Sequence, residues 1–326
     1  MRWRSSTGLE HDRWGKGSFM QRRSESRAAS AKLVYIGGYG RSGSTLLEYL
    51  LAAHPEVVAC GEIERHLRVF TRRRTCTCGE PARHCQVWGE FQHKSGRLEG
   101  LDHTQLSLQV LDHISRQYAV MVDSSKTAWG STLMPFRLSK KLGKDFLLVH
   151  LVRDPRAVAW STLRTKRDQN WTRGGRPKRA RKHLRQSSSG TRSLLTIAGW
   201  TVANLACEMF GFFHPDRYLR VRYEDLVRTP VKVLGRIFAR VALDPPTTLE
   251  PTATRTNRHQ LYGNAMRFET LSPAELKEDA AWKTAMPLAY RRLVGSLCWP
   301  LCVRYDYEMP EAGRDQVIDP ITPSTK

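Results

Sequence analysis

The chain has 326 residues, 40% of them apolar, and a formal net charge of +22 from 53 Lys and Arg against 31 Asp and Glu. That length and apolar share fit one large α/β domain or two small ones, and exclude a chain too polar to bury a core. No internal repeat, no apolar run of bilayer-spanning length and no apolar segment behind the basic N-terminus is evident, so a cytoplasmic placement without a transmembrane segment is expected. Residues 1–30, rich in Ser, Arg and Gly without periodicity, are expected to be disordered, with Met20 a candidate alternative start.

The first ordered stretch, Leu33 to Glu48, reads LVYIGGYGRSGSTLLE. An apolar strand runs into glycines at 37, 38, 40 and 43 and then into a helix start, which makes an anion site of backbone N–H groups at the positive end of a helix dipole. Glycines there permit positive φ and close approach of a ligand to the backbone. A phosphate or phosphosulfate is the expected anion. Gly38, Gly43 and Thr45 fit the spacing of a nucleoside-triphosphate loop, but Ser44 stands where that loop carries its lysine. Gly38, Gly40 and Gly43 also satisfy a dinucleotide fingerprint, with Glu62 near the distance of a ribose-binding acid. Arg41 and the hydroxyls of Ser42, Ser44 and Thr45 exceed what a pyrophosphate turn needs.

Next, Val57 to Gly61 reads as a strand that delivers Glu62 and Glu64 to the edge where parallel sheets bind ligands. Both could instead pair with Arg65 and Arg68. Residues 71–90 form a Cys-containing insertion with Cys76, Cys78 and Cys85 in TCTCGEPARHC. Zinc wants four ligands, typically in two spaced pairs; here one pair is compressed and the other is the adjacent His84 and Cys85, whose side chains point apart. No metal is therefore expected, and a disulfide from Cys76 or Cys78 to Cys85 stays open. Cys60, Cys207, Cys298 and Cys302 read as small buried hydrophobes. Met121 to Lys126 is an apolar start ending in Asp-Ser-Ser-Lys. Phe146 to Leu151 reads as a buried parallel strand, followed by Arg153, a proline suited to a first helical turn, and Ser161 about two turns on. From Arg164 to Arg192 stand eleven Lys or Arg against Asp168 alone. Such a block reads as a solvated loop or as a nucleic-acid arm, but it carries one aromatic, Trp171. Tyr218 to Val227 (YLRVRYEDLV) is a further strand and turn, and Gly263 to Phe268 (GNAMRF) a turn with Asn264 and Arg267. The segment from Pro310 to Lys326 reads as an unpacked tail. Alternation of strands and helices predicts a three-layer α/β domain over 31–309 with a mostly parallel central sheet.

From about Lys32 to Tyr307 the chain resembles sulfotransferases that use 3′-phosphoadenosine 5′-phosphosulfate (PAPS). YGRSGSTLL resembles their 5′-phosphosulfate loop. Arg153 and Ser161 have the spacing of their 3′-phosphate motif, and YEDLV matches a late family turn. The absence of a Lys-x-His segment and the Val57–Glu64 pattern point to the carbohydrate and tyrosylprotein branches, which use a glutamate base.

The resemblance implies a P-loop-like sulfotransferase fold and in-line, metal-independent transfer from PAPS to an acceptor hydroxyl, leaving PAP, the desulfated product. Gly40, Arg41, Ser42, Gly43, Ser44 and Thr45 would hold the 5′-phosphate, and Arg153 and Ser161 the 3′-phosphate. Tyr223 would face the adenine, and Asn264 and Arg267 would lie on a loop over the nucleotide. Lys126 and Arg41 would stabilise the leaving phosphate, and Glu62, preferred over Glu64, would be the base. The basic block 164–192 would be a lid that steers an anionic donor and an anionic acceptor. A sugar or glycolipid hydroxyl is the preferred acceptor. A nucleotide kinase and a basic nucleic-acid-binding protein are the competing readings.

Overall fold

A computed structural model describes residues 31–68, 74–95, 100–128, 130–172, 187–245, 257–270 and 276–308. The expected N-terminal and C-terminal tails, and most of the basic block, lie outside the described residues.

Five strands form one parallel sheet: β1 (Lys32–Gly37), β2 (Val57–Gly61), β3 (Val120–Asp123), β4 (Phe146–Val152) and β5 (Tyr218–Arg222), in the order β2-β3-β1-β4-β5. β1 lies at the centre, with Val34 opposite Val122 on one side and Leu147 on the other. Central strands buried on both faces must be apolar throughout, which is why β1, β3 and β4 are near-continuous Val, Ile and Leu runs.

The helices are α1 (Ser44–Leu51), α2 (Trp88–Ser95), α3 (His103–Ile114), α4 (Met134–Leu142), α5 (Pro155–Thr172), α6 (Ser187–Phe213), α7 (Tyr223–Arg228), α8 (Pro230–Val241), α9 (Trp282–Ala285), α10 (Leu288–Leu297) and α11 (Trp299–Arg304). Successive β1 residues point to opposite faces. Leu33 and Tyr35 join Trp88, Phe91, Leu106 and Phe210 in one core layer. Val34 and Ile36 join Leu47, Leu50, Ile237 and Phe238 in the other. A third cluster, with Val158, Trp200, Cys302 and Tyr305, packs α5 and α6 against the last helices. Asp102 starts α3 with a reciprocal capping box to Gln105, both bonds at 2.8 Å. Cys60, Cys207, Cys298 and Cys302 are buried, as expected.

α6 departs from the sequence expectation. Its stretch Ser193–Phe213 is long and apolar enough to cross a membrane by length and composition, although half of that window is buried in the fold. Trp200, Ala203, Cys207 and Phe210 face the core, while Val202, Leu205, Met209 and Phe212 are exposed.

Candidate active site

Because every strand is parallel, the loops after all five C-terminal ends share one edge of the sheet, and the expected site residues collect there. After β1 the chain turns through Arg41 at φ 71° and Gly43 at φ 95°, and α1 begins at Ser44 without a side-chain cap on its N–H groups. The positive end of α1 is thus left for an outside anion. The loop is anchored from behind, since the Gly38 N–H donates to Thr127 Oγ1 at 3.0 Å and that hydroxyl donates to the Ala203 carbonyl at 2.9 Å. Nothing in the sequence marked Thr127, which acts through α6.

Beyond β2 and β3, Lys126 donates to Glu62 Oε1, and Arg65 pairs with Glu62 Oε2 at 2.7 Å. Lys126 also donates to the Ser124 carbonyl at 3.2 Å, and its φ of 72° is held by the Tyr35 hydroxyl on its own carbonyl. Burial pulls the Arg41 guanidinium down from its ordinary pKa while Glu62 pushes it back up, so Arg41 stands within electrostatic reach of the same carboxylate. Glu64 turns its backbone N–H to Ser125 Oγ at 3.1 Å. Of the two candidate glutamates, Glu62 is the one joined to Lys126.

Arg153, after β4, is nearly buried and lies 4.2 Å over the Tyr223 ring. Its two terminal nitrogens donate to the carbonyls of Arg41 (3.1 Å) and Asp279 (3.0 Å), while its Nε is buried without a partner. Ser161 sits half-buried on α5. Tyr223 also packs on the loop after β1, so its ring is held between Gly43 and Arg153. Asn264 caps the short turn Ala265–Phe268. Arg267 on that turn donates to the Gly263 carbonyl at 2.9 Å and leaves its buried Nε unpartnered. Burial and then Arg74 lower the Arg267 pKa, and Glu62 opposes them, which puts this turn near the β2 end.

One residue the sequence reading missed organises the centre. Glu48, on α1, is buried and accepts from the Gly61 N–H (2.9 Å), Ser124 Oγ (2.9 Å) and Gln260 Nε2 (2.7 Å). Burial pushes its carboxyl up to about 8 against the pull of those bonds and of Lys126. Glu48 therefore ties together the residues preceding Glu62 and Lys126. Asp123 is a second buried carboxylate. Burial alone would raise it, but bonds from His103 and Ser125 hold it below its ordinary value.

Residues 34–246 match the model of the sulfotransferase family. The chain belongs to that family. Among curated relatives of this sulfotransferase are carbohydrate sulfotransferase 5 of Mus musculus, 35% identical over 46% of the chain and 39% of the relative, and carbohydrate sulfotransferase 6 of Homo sapiens, 33% identical over the same shares. The chain thus spans about two-fifths of the length of these relatives. Two solved structures share its fold, each at TM-score 0.52. The sulfotransferase domain of the curacin biosynthetic pathway is 20% identical, covering 87% of this chain and 100% of that one. The sulfotransferase domain of the Synechococcus PCC 7002 olefin synthase is 22% identical, covering 87% and 98%. The expected P-loop-like α/β sulfotransferase fold is therefore present. The cytoplasmic placement without a spanning segment is corrected: the matched relatives are carbohydrate sulfotransferases, which give it no support, and α6 contains a stretch that is long and apolar enough, by length and composition, to span a bilayer.

Proposed function

We propose that the chain transfers a sulfuryl group from PAPS to an acceptor hydroxyl, with Glu62 as general base and no metal in the chemical step. The observation that carries this reading is the Lys126–Glu62 pair beside the phosphate loop and in reach of Arg41. The residues fit the donor. α1 offers an uncapped N-terminus, and Arg153 and Arg267 each keep a buried, unpartnered Nε as a spare donor. When bound, PAPS supplies an activated sulfuryl group on a phosphate leaving group.

Gly40 to Thr45 would hold the 5′-phosphate through backbone N–H groups and hydroxyls, and Arg153 with Ser161 the 3′-phosphate. Tyr223 would flank the adenine, and Asn264 and Arg267 would close over the nucleotide. Lys126 has two roles that exclude each other in time. Paired with Glu62, it holds that carboxylate in position. Turned with Arg41 toward the leaving phosphate, it offsets growing negative charge and frees Glu62 to accept the acceptor's proton. The curated relatives are named for carbohydrate, which supports a sugar, glycolipid or other small-molecule hydroxyl as acceptor. The basic block 164–192 would act as a lid favouring anionic donor and acceptor.

Incubation of the purified protein with labelled PAPS and a panel of hydroxyl acceptors, with and without chelator, tests this reading. Label transfer that survives chelation and fails in Glu62→Gln is expected. Magnesium-dependent ATP turnover without sulfuryl transfer would replace it with the kinase reading.

A further inference from the structure

The insertion 71–90 was not expected to hold a metal because its own residues supply too few well-spaced ligands. The fold brings a fourth ligand from far along the chain. Sγ of Cys76, Cys78 and Cys85 and a ring nitrogen of His259 all lie within 4.8 Å of one another. Cys85 Sγ is 3.1 Å from His259 Nδ1, Cys76 Sγ is 3.9 Å from it, and the two sulfurs are 3.6 Å apart. A tetrahedral zinc ion, with Zn–S about 2.3 Å and Zn–N about 2.0–2.1 Å, needs ligand atoms roughly 3.5–3.8 Å apart. We propose that Cys76, Cys78, Cys85 and His259 form a structural Zn²⁺ site of the Cys₃His type.

The four ligands are held by the backbone around them. The first two ligands lie on a tight turn, in which the Cys76 N–H donates to the Glu80 carbonyl (2.8 Å) and the Gly79 N–H to the Cys76 carbonyl (2.9 Å). His259 is fixed as firmly. Its N–H donates to the Ala59 carbonyl at 2.8 Å, its carbonyl accepts from Trp88 Nε1, and Thr77 Oγ1 bonds both neighbours, donating to the Arg258 carbonyl (2.7 Å) and accepting from the Gln260 N–H (2.9 Å). Cys76, Cys85 and His259 are at most 2% exposed. Four protein ligands in a closed pocket leave no open coordination position, so the ion is structural and takes no part in sulfuryl transfer.

Its position gives it a purpose. β2 is an edge strand, and Asn257 to His259 bond along it at Ala59, two residues before Gly61. Zinc would clamp the insertion to this segment and so brace the strand end that carries Glu62. The inference stands apart from the proposed reaction, since metal content is read without any turnover.

The full chain, purified without chelator or metal-affinity resin, should carry about one zinc per molecule by plasma mass spectrometry. A mercurial reagent should release it in step with thiol titration. Cobalt replacing zinc should give the intense visible bands of a tetrahedral site with sulfur-to-metal charge transfer. Cys78→Ser and His259→Ala should lose most of the metal, whereas Cys298→Ala should keep it. Should the ligand variants fail to fold, the cobalt spectrum of the unaltered chain still decides. A metal-free folded protein, a Cys76–Cys85 or Cys78–Cys85 disulfide found by mass spectrometry, or zinc content indifferent to these substitutions would overturn the proposal.

Discussion

The two halves of the site are built by opposite routes. On the donor side, around β1 and β4, each functional group follows its own strand within a few residues: Arg41 to Thr45 after β1, and Arg153 after β4. On the β2 side, the groups come from remote parts of the chain. Gln260 reaches Glu48 across 212 positions, and His259 reaches Cys85 across 174. A phosphate cradle needs only backbone N–H groups and one helix end, which a short segment carries wherever it goes. A base poised against a lysine needs several elements in register, so its precision depends on buried polar bonds between them. On the proposed function, local sequence would specify donor binding, whereas contacts between distant segments would position the groups that do the chemistry.

The largest effect should come from the β2 side. Glu62→Gln should lower turnover by roughly 10²–10⁴ while leaving PAP affinity nearly intact, the usual range for a positioned general base. Glu64→Gln should cost far less, because its backbone rather than its carboxylate is bound into the site. Steady-state kinetics together with PAP calorimetry check the pair. Loss of PAP affinity in Glu62→Gln would erase the division between the two sides.

Glu48 tests the same side through stability. Its carboxyl is held near 8 in the fold against 4.5 as its ordinary value, so the native state binds the proton that the unfolded chain has released. The associated stability is full below about pH 4.5 and is lost as pH rises toward about 8. Glu48→Gln removes that dependence and keeps a hydrogen-bonding group in place. Gln260 Oε1 is buried without a partner, so rotation of its amide lets it accept from the new side-chain amide. The variant should gain on the parent across this window by up to about 5 kcal/mol, the full displacement at 1.36 kcal/mol per pKa unit. Urea unfolding at several pH values reads it. A difference that does not change with pH would mean that Glu48 is ionised in the fold.

What the sequence made legible follows this division. The parallel sheet, the glycine turn after β1 and the places of Arg153 and Lys126 just after strand ends could be read because each lies in a contiguous stretch whose period or spacing carries it. Glu48 sits in a helix beside Leu47 and Leu50 and shows no periodicity that separates it from a surface glutamate. His259 is a single histidine with no neighbouring ligand. It becomes one only when its segment lies along β2, a pairing that no local pattern encodes. The Cys cluster was visible and half of its meaning was not. α6 does not read as an unbroken apolar run because Thr196, Thr201, Asn204 and Glu208 interrupt it, and only its helical length brings the whole stretch to the span of a bilayer.

On the donor side, Arg153→Ala should weaken PAP binding by about 2–4 kcal/mol, the cost of breaking a charge-assisted phosphate pair. Adenosine 5′-phosphosulfate, which lacks the 3′-phosphate, should lose much less. Calorimetry with both ligands separates the cases, and equal losses would place Arg153 elsewhere than at the 3′-phosphate. Because the residue also bridges Arg41 and Asp279, a thermal melt of the free variant is needed to show that the loop still folds.

The smallest effect separates two glycines that look alike in the sequence. Gly43 has φ 95°, and a Cβ there would come within 2.5 Å of the Tyr223 ring, so Gly43→Ala carries both backbone strain and a clash. It should destabilise the free protein by about 1–3 kcal/mol. Gly40 has no such constraint: its φ is not in the left-handed region and a Cβ would meet nothing within 4 Å. Gly40→Ala should leave stability within about 0.5 kcal/mol. Any loss of PAP affinity in that variant then reports on close approach of the ligand to the backbone, because the protein itself offers nothing for the methyl group to hit. If Gly40→Ala destabilises the free chain as much as Gly43→Ala, the loop closes on itself, and the donor side is no longer the self-contained cradle that distinguishes it from the β2 side.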